Sequence, residues 1–320
     1  MLNPNYLLFS LTLIISTLTI LNTNSWMSMW MMLEINLMSF IPIMSLKHSL
    51  NSMETSIKYF LVQALSSSIL LFLIMNMKMF NTTSLIMIPI MMKLGVPPLH
   101  FWFTNIMEGM SWSNSFILMT WQKIAPISIM ALYMMKPLIM LFSIVTIITG
   151  SMGGLNQTSI RKIMTFSSIN HLGWMMTIIT FNELIWLKYF FLYSILTMSI
   201  MIILNKHLFN IKQMYLKINP LLSMSFSMNL ISLSGLPPLM GFLPKWISIQ
   251  LLTSMNLFPL TITMIMLSLP IILFYLNLMY NNLTLFSMSN PWKLSSYPNL
   301  SISLSLMITT SLPIMTPLWT

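Results

Sequence analysis

The chain has 320 residues, 57% hydrophobic and only 6% charged, and its 14 Lys plus Arg against 4 Asp plus Glu give a net charge of +10. Soluble domains carry about 25% charged residues, so the composition excludes a water-soluble monomer and points to a polytopic membrane protein. The lack of cysteine excludes disulfides, thiolate metal sites, iron–sulfur clusters and a cysteine nucleophile, and the scatter of basic residues over short loops argues against nucleic acid as a partner.

Apolar runs of membrane-crossing length, about 17–25 residues, recur along the chain. The first is 5–22. Met1 to Tyr6 carry no basic region and no small-residue cleavage site follows, so neither a secretory signal nor an Arg-rich presequence is expected. The second, 26–46, holds Glu34 among apolar residues. A carboxylate there calls for a partner, and a lysine on a neighbouring helix, Lys93 first, is the expected one. At about 4 Å and an effective dielectric of about 20, such a pair gains roughly 4 kcal/mol, enough to control whether the lysine keeps its proton.

The third run is 58–77. The fourth, 83–108, is interrupted at Gly95-Val96-Pro97-Pro98. Proline removes a backbone donor and breaks the helix, and backbone groups freed at that depth must be satisfied by protein or water. Lys93 precedes this break by two residues, His100 follows it as a relay group or a cap, and Glu108 closes the run. Lys123 lies about eight residues into the fifth run, 116–135, too deep to snorkel easily.

The sixth run, 137–155, contains Gly150-Ser151-Met152-Gly153-Gly154, a pattern of close helix packing. In the seventh, 160–182, His171 stands with Ser167, Ser168 and Asn170, which reads as a water-wired relay; a lone hydrogen bond to a neighbouring helix is the alternative. After 188–205 comes 219–254, too long for one straight helix and broken at Gly235-Leu236-Pro237-Pro238, with Lys245 beyond the break. The last runs are 257–280 and 299–318. His48 and His207 fall in loops, and no histidine pair has metal-binding spacing.

These runs predict an all-α polytopic membrane protein of about eleven transmembrane helices, a single domain over 1–320 with a transporter-like fold. The interrupted runs are the fourth and ninth, so two five-helix repeats, about 1–135 and 137–280, are expected in inverted orientation, with 281–320 as a C-terminal loop and last helix. Paired interrupted segments in inverted halves mark the working site of a transporter. Each of Lys93, Lys123 and Lys245 costs about 2.5–3.5 kcal/mol as an ammonium in hydrocarbon, and because burial disfavours the charged form each is read as a proton carrier. With alternating spans, Lys47, Lys58, Arg161, Lys162, Lys206, Lys212, Lys217 and Lys293 fall on one side and Lys78, Lys136 and Lys188 on the other. That bias places the N-terminus on the cytoplasm-like side and the C-terminus opposite. Trp26, Trp112, Trp186 and Trp292, near span ends, are expected as interfacial anchors.

Four stretches together carry a resemblance: Trp30-Met31-Met32-Leu33-Glu34-Ile35-Asn36-Leu37, Lys93-Leu94-Gly95-Val96-Pro97-Pro98-Leu99-His100-Phe101-Trp102, Thr120-Trp121-Gln122-Lys123, and Gly235-Leu236-Pro237-Pro238-Leu239-Met240-Gly241-Phe242-Leu243-Pro244-Lys245-Trp246. With Gly153-Gly154-Leu155-Asn156-Gln157-Thr158 and Arg161-Lys162-Ile163, they resemble the NADH-ubiquinone oxidoreductase chain 2 family, antiporter-like subunits of respiratory complex I, over about residues 20–250. The 38 methionines fit codon bias in an AT-rich animal mitochondrial genome and are similar to arthropod members.

The resemblance implies a multi-pass protein of the mitochondrial inner membrane, its N-terminus on the matrix side and its C-terminus facing the intermembrane space. It implies a proton-translocating, non-redox subunit of NADH:ubiquinone reductase, with a mid-membrane axis formed by Glu34 and Lys93 as charge pair, Lys123 as central lysine, His171 and Lys245. NADH, FMN, iron–sulfur clusters and ubiquinone are then held by other subunits, and none in this chain. The implied partners are the other membrane-arm subunits, further antiporter-like ones included, and lipids such as cardiolipin. Where the family continues after His-Phe-Trp with a Pro-Glu pair, this chain has Thr104-Asn105, and Glu108 is the candidate replacement. A stand-alone cation/proton antiporter and a membrane scaffold are the competing expectations.

Overall fold

The computed structural model describes residues 4–46, 49–77, 83–133, 135–182, 184–206, 220–237 and 239–286. The expected span 299–318, Trp292, His48, His207, Glu183, Pro238 and the basic residues Lys47, Lys78, Lys212, Lys217 and Lys293 lie outside them. All regular elements among the described residues are helices, as the sequence predicts. They fall into two compact units that meet in sequence between Phe142 and Ser143.

The first unit contains α1 (Pro4–Asn22), α2 (Trp26–Ser45), α3 (Leu50–Met75), α4 (Thr83–Leu94), α5 (Phe101–Gly109), α6 (Trp112–Met119) and α7 (Trp121–Leu132). Helix α8 (Lys136–Gly154) runs across the boundary. The second unit continues with α9 (Ile160–Ile179), α10 (Ile185–Lys206), α11 (Pro220–Ser234), α12 (Phe242–Ser254) and α13 (Phe258–Phe286). Among the described residues seven segments are long and apolar enough to cross a membrane: α1, α2, α3, α6 with α7, α8, α10 and α13. The two interrupted runs appear as the half-helices α4/α5 and α11/α12.

Three local departures have physical causes. Helix α3 starts at Leu50, eight residues ahead of the expected apolar run, because Ser49 and Ser52 cap it reciprocally and stabilise a polar first turn. The fifth run is interrupted at Thr120, whose hydroxyl bonds the Phe116 carbonyl at 2.7 Å, three residues before Lys123. Trp112 and Trp186 are buried inside their units rather than placed outward as anchors. Helix α9 is polar for a membrane helix yet buried along nearly its whole length. Protein on every side lets it carry groups that lipid would reject.

Both breaks end a half-helix on a glycine in the left-handed region, Gly95 at φ +71° and Gly235 at φ +78°. At the first, Val96 N bonds Met91 O at 3.0 Å and Gly95 N bonds Met92 O at 3.2 Å, the paired bonds of a Schellman cap. Side chains add to this: Trp102 Nε1 gives Met92 O a second donor at 3.1 Å, and Gln63 Nε2 donates to Lys93 O at 3.4 Å. At the second, Gly235 N bonds Ser232 O at 3.1 Å and Lys245 Nζ donates to Ser234 O at 2.6 Å. Protein thus answers the backbone groups that the prolines leave open.

Candidate functional site

In the first unit α4 packs on α7, and this contact brings Lys93 and Lys123 to one cavity of about 20 Å³. That is room for a water molecule. Asn36 from α2, Tyr59 and Gln63 from α3, and Gln122 from α7 line it, with Leu33, Phe103 and Pro126 among its apolar walls. Both lysines are deeply buried, 7% and 3% exposed. Tyr59 donates to Gln122 Oε1 at 3.4 Å, and Gln122 Nε2 donates to Asn36 Oδ1 at 3.0 Å. The Lys123 ammonium lies 5.3 Å from the centre of the Phe103 ring, in cation–π range. Two ammonium groups therefore share a space walled by groups that both donate and accept.

Glu34 is half-buried on α2 beside the cavity-lining Leu33, but the ion pair with Lys93 at about 4 Å that the sequence leads one to expect is not formed: the carboxylate and the amine stay further apart than a salt bridge allows. His100 is buried ahead of α5 with its ring 4.4 Å from that of Phe101, and it does not line the cavity. Glu108 is exposed on α5, as is Asn105, and neither lines the cavity. Thr104 is buried and bonds back to the Phe101 carbonyl at 3.0 Å.

In the second unit His171 is buried on α9, and its Nδ1 lies 2.9 Å from the Tyr189 hydroxyl on α10. The Tyr193 ring is centred 5.0 Å from the imidazole. Ser167 and Ser168 bond back to the Met164 and Thr165 carbonyls at 2.8 and 2.7 Å, and the buried Tyr275 hydroxyl of α13 makes no hydrogen bond among the described residues. Asn170 instead packs on the backbone of α8, where its amide N and Cα would lie 2.8 and 3.0 Å from a methyl group added at Gly150. Helix α12, which carries the buried Lys245, packs against α9 and α10.

Sequence motifs found the lysines and the histidine but missed their company. Asn36 and Gln63 had a usable signal, an amide within an apolar run. Tyr59, Tyr189, Tyr193 and Tyr275 had none, because tyrosine is ordinary in such runs.

A family model described as NADH:quinone oxidoreductase/Mrp antiporter, TM, matches residues 23–85 and 73–274. The chain is 46% identical to NADH-ubiquinone oxidoreductase chain 2 of Anopheles gambiae over 319 residues, covering 93% of this chain and 92% of that protein. It is 40% identical to that of Locusta migratoria, covering 91% and 89%. Among solved structures it is similar to a chain of respiratory complex I from Thermus thermophilus with bound aureothin, with TM-score 0.81 and 19% identity over 99% of this chain and 79% of that one. A chain of the Mrp complex from Dietzia gives TM-score 0.70 and 16% identity over 85% and 59%. At these identities the structures speak for the fold.

Proposed function

The chain belongs to the NADH-ubiquinone oxidoreductase chain 2 family, within the NADH:quinone oxidoreductase/Mrp antiporter group, and from that premise we propose that it carries protons through the membrane arm of mitochondrial respiratory complex I. It does so as a multi-pass subunit of the inner membrane, beside other antiporter-like subunits and lipids such as cardiolipin. The redox groups and ubiquinone belong to other subunits, and this chain couples to their reaction without electron transfer of its own.

One observation carries the reading: Lys93 and Lys123, both buried, line one polar cavity. Two ammonium groups at one buried site repel each other and pay desolvation twice. The arrangement favours one proton moving between two amines, with Tyr59, Gln122 and Asn36 as the groups that pass or hold it. Glu34 biases the balance. While its carboxylate is near, Lys93 keeps its proton; when the attraction weakens, the proton moves to Lys123. Driving one charge against 100 mV takes about 2.3 kcal/mol, within reach of a single charge pair at an effective dielectric of about 20. In the second unit His171 and Lys245 serve as the corresponding relay groups. Lys245 releases its proton as the Ser234 carbonyl holds the amine in place.

Lys93→Met and Lys123→Met keep an apolar stem of similar length and remove the amine. Each is expected to abolish proton pumping by this subunit in the assembled complex, lowering the proton-to-electron ratio of NADH oxidation in sealed vesicles. An unchanged ratio in both variants defeats the proposal.

A further inference from the structure

Glu34 is kept from Lys93 by the way α2 is turned. A helix advances about 100° per residue, and the three residues of α2 that line the cavity, Leu33, Asn36 and Leu37, share one face. Met31, Ile35 and Met38 are exposed on the other. Glu34 stands between the two faces, half-buried, about 160° around the helix from Asn36. A turn of α2 that carries the carboxylate into the cavity therefore carries Asn36 out of it. Only one of the two faces the lysines at a time.

Hydrogen bonding selects Asn36. Gln122 Nε2 donates to its Oδ1 at 3.0 Å, and Tyr59 of α3 donates to Oε1 of the same glutamine at 3.4 Å. Asn36 is buried, so this amide bond forms away from competing water. Helix α2 packs chiefly on α1 and α3. The amide pair ties it instead to α7, one residue before Lys123. Toward its start, Trp30 Nε1 donates to Ser67 O of α3 at 3.0 Å. Toward its end, Pro42 has no N–H to return to the helix, and Asn114 Nδ2 holds the Ile43 carbonyl at 3.1 Å. Between these two anchors, where Glu34 lies, the Asn36 bond sets the turn of the helix.

We propose that Asn36 is the positioning residue of Glu34: through Gln122 it sets the turn of α2 and keeps the carboxylate out of pairing distance of Lys93. A carboxylate closed onto a buried ammonium makes a pair that is costly to break, and it would trap the proton on Lys93. Held off, it acts on the amine across a gap and leaves the proton free to move. The proposal rests on the reading of Lys93 and Lys123 as a pair that exchanges one proton.

Variants assembled in the complex and driven by NADH in sealed vesicles test it through the proton-to-electron ratio. Asn36→Leu removes the bond at similar volume and is expected to lose at least half of the pumping that Lys123→Met abolishes. Asn36→Gln combined with Gln122→Asn exchanges the two amides at the same combined reach and is expected to regain at least half of that loss. Glu34→Gln added to Asn36→Leu removes the carboxylate that would trap the proton, so the double variant is expected to pump better than Asn36→Leu alone. A merely structural role of Asn36 predicts no such suppression. The assignment is overturned by a wild-type ratio in Asn36→Leu, by exchanged amides no better than Asn36→Leu, or by a double variant no better than Asn36→Leu. If Asn36→Leu fails to assemble on native gels, Gln122→Met breaks the same bond from the other side and takes its place in each comparison. If the exchanged pair fails to assemble, suppression by Glu34→Gln decides alone. Wild-type ratios in both Lys93→Met and Lys123→Met remove the proton-pair reading and this assignment with it. Losses in those two beside a wild-type Asn36→Leu remove this assignment only.

Discussion

Gly235 and Lys245 lie so close that a methyl group on the glycine would come within 2.8 Å of Lys245 Cδ and 3.1 Å of its Nζ. The same glycine sits at φ +78°, where a Cβ is strained by about 1–2 kcal/mol. Gly235→Ala is therefore expected to act twice, straining the break and pushing the amine off the Ser234 carbonyl. Gly95→Ala at φ +71° carries the same backbone strain but meets Phe103 Cβ at 3.2 Å, so it reaches Lys123 only through the Phe103 ring. Both variants should speed thermal inactivation of the complex, and Gly235→Ala should lower the proton-to-electron ratio more than Gly95→Ala does. Equal ratios in the two would contradict the coupling of this break to its lysine. Gly95 and Gly235 could be picked out from sequence, because Gly-x-Pro-Pro announces a broken helix. The contact between Gly235 and Lys245 could not, since it depends on how two half-helices fold back on each other.

Helix α9 is the element where sequence and surroundings diverge most. Its serines, asparagine and histidine make it a poor match to lipid, and its burial in the second unit explains why it need not match. Close approach to α8 is set by glycines. A methyl at Gly150 would meet the α9 backbone, Asn170 N at 2.8 Å and Cα at 3.0 Å. One at Gly154 would meet the Phe274 ring at 2.8 Å. A ring can turn and a helix backbone cannot, so Gly150→Ala is expected to reduce the amount of assembled complex more than Gly154→Ala, as read on native gels; the reverse order would show that α8 and α9 are not held backbone to backbone. The glycine cluster was legible as a packing motif. Which glycine faces backbone and which faces a ring was not, because that depends on helix rotation.

For the whole molecule, sidedness is the prediction that sequence charge makes and that a chemical probe can check. With the N-terminus on the matrix side and the C-terminus in the intermembrane space, protease added to mitochondria stripped of their outer membrane should cleave a C-terminal tag and spare an N-terminal one. Cleavage of both would contradict an odd number of crossings.

Hydropathy and the proline breaks alone determined that this is a helical membrane protein with two interrupted segments and three lysines at depth. Those features are local: each depends on a run of about twenty residues or on the stereochemistry of a few. Only the tertiary structure decided that Lys93 shares a cavity with Lys123 while Glu108 faces outward, and that His171 meets Tyr189 rather than Asn170. These pairings join side chains from different helices. Helix rotation and tilt choose them, and no span of sequence records either.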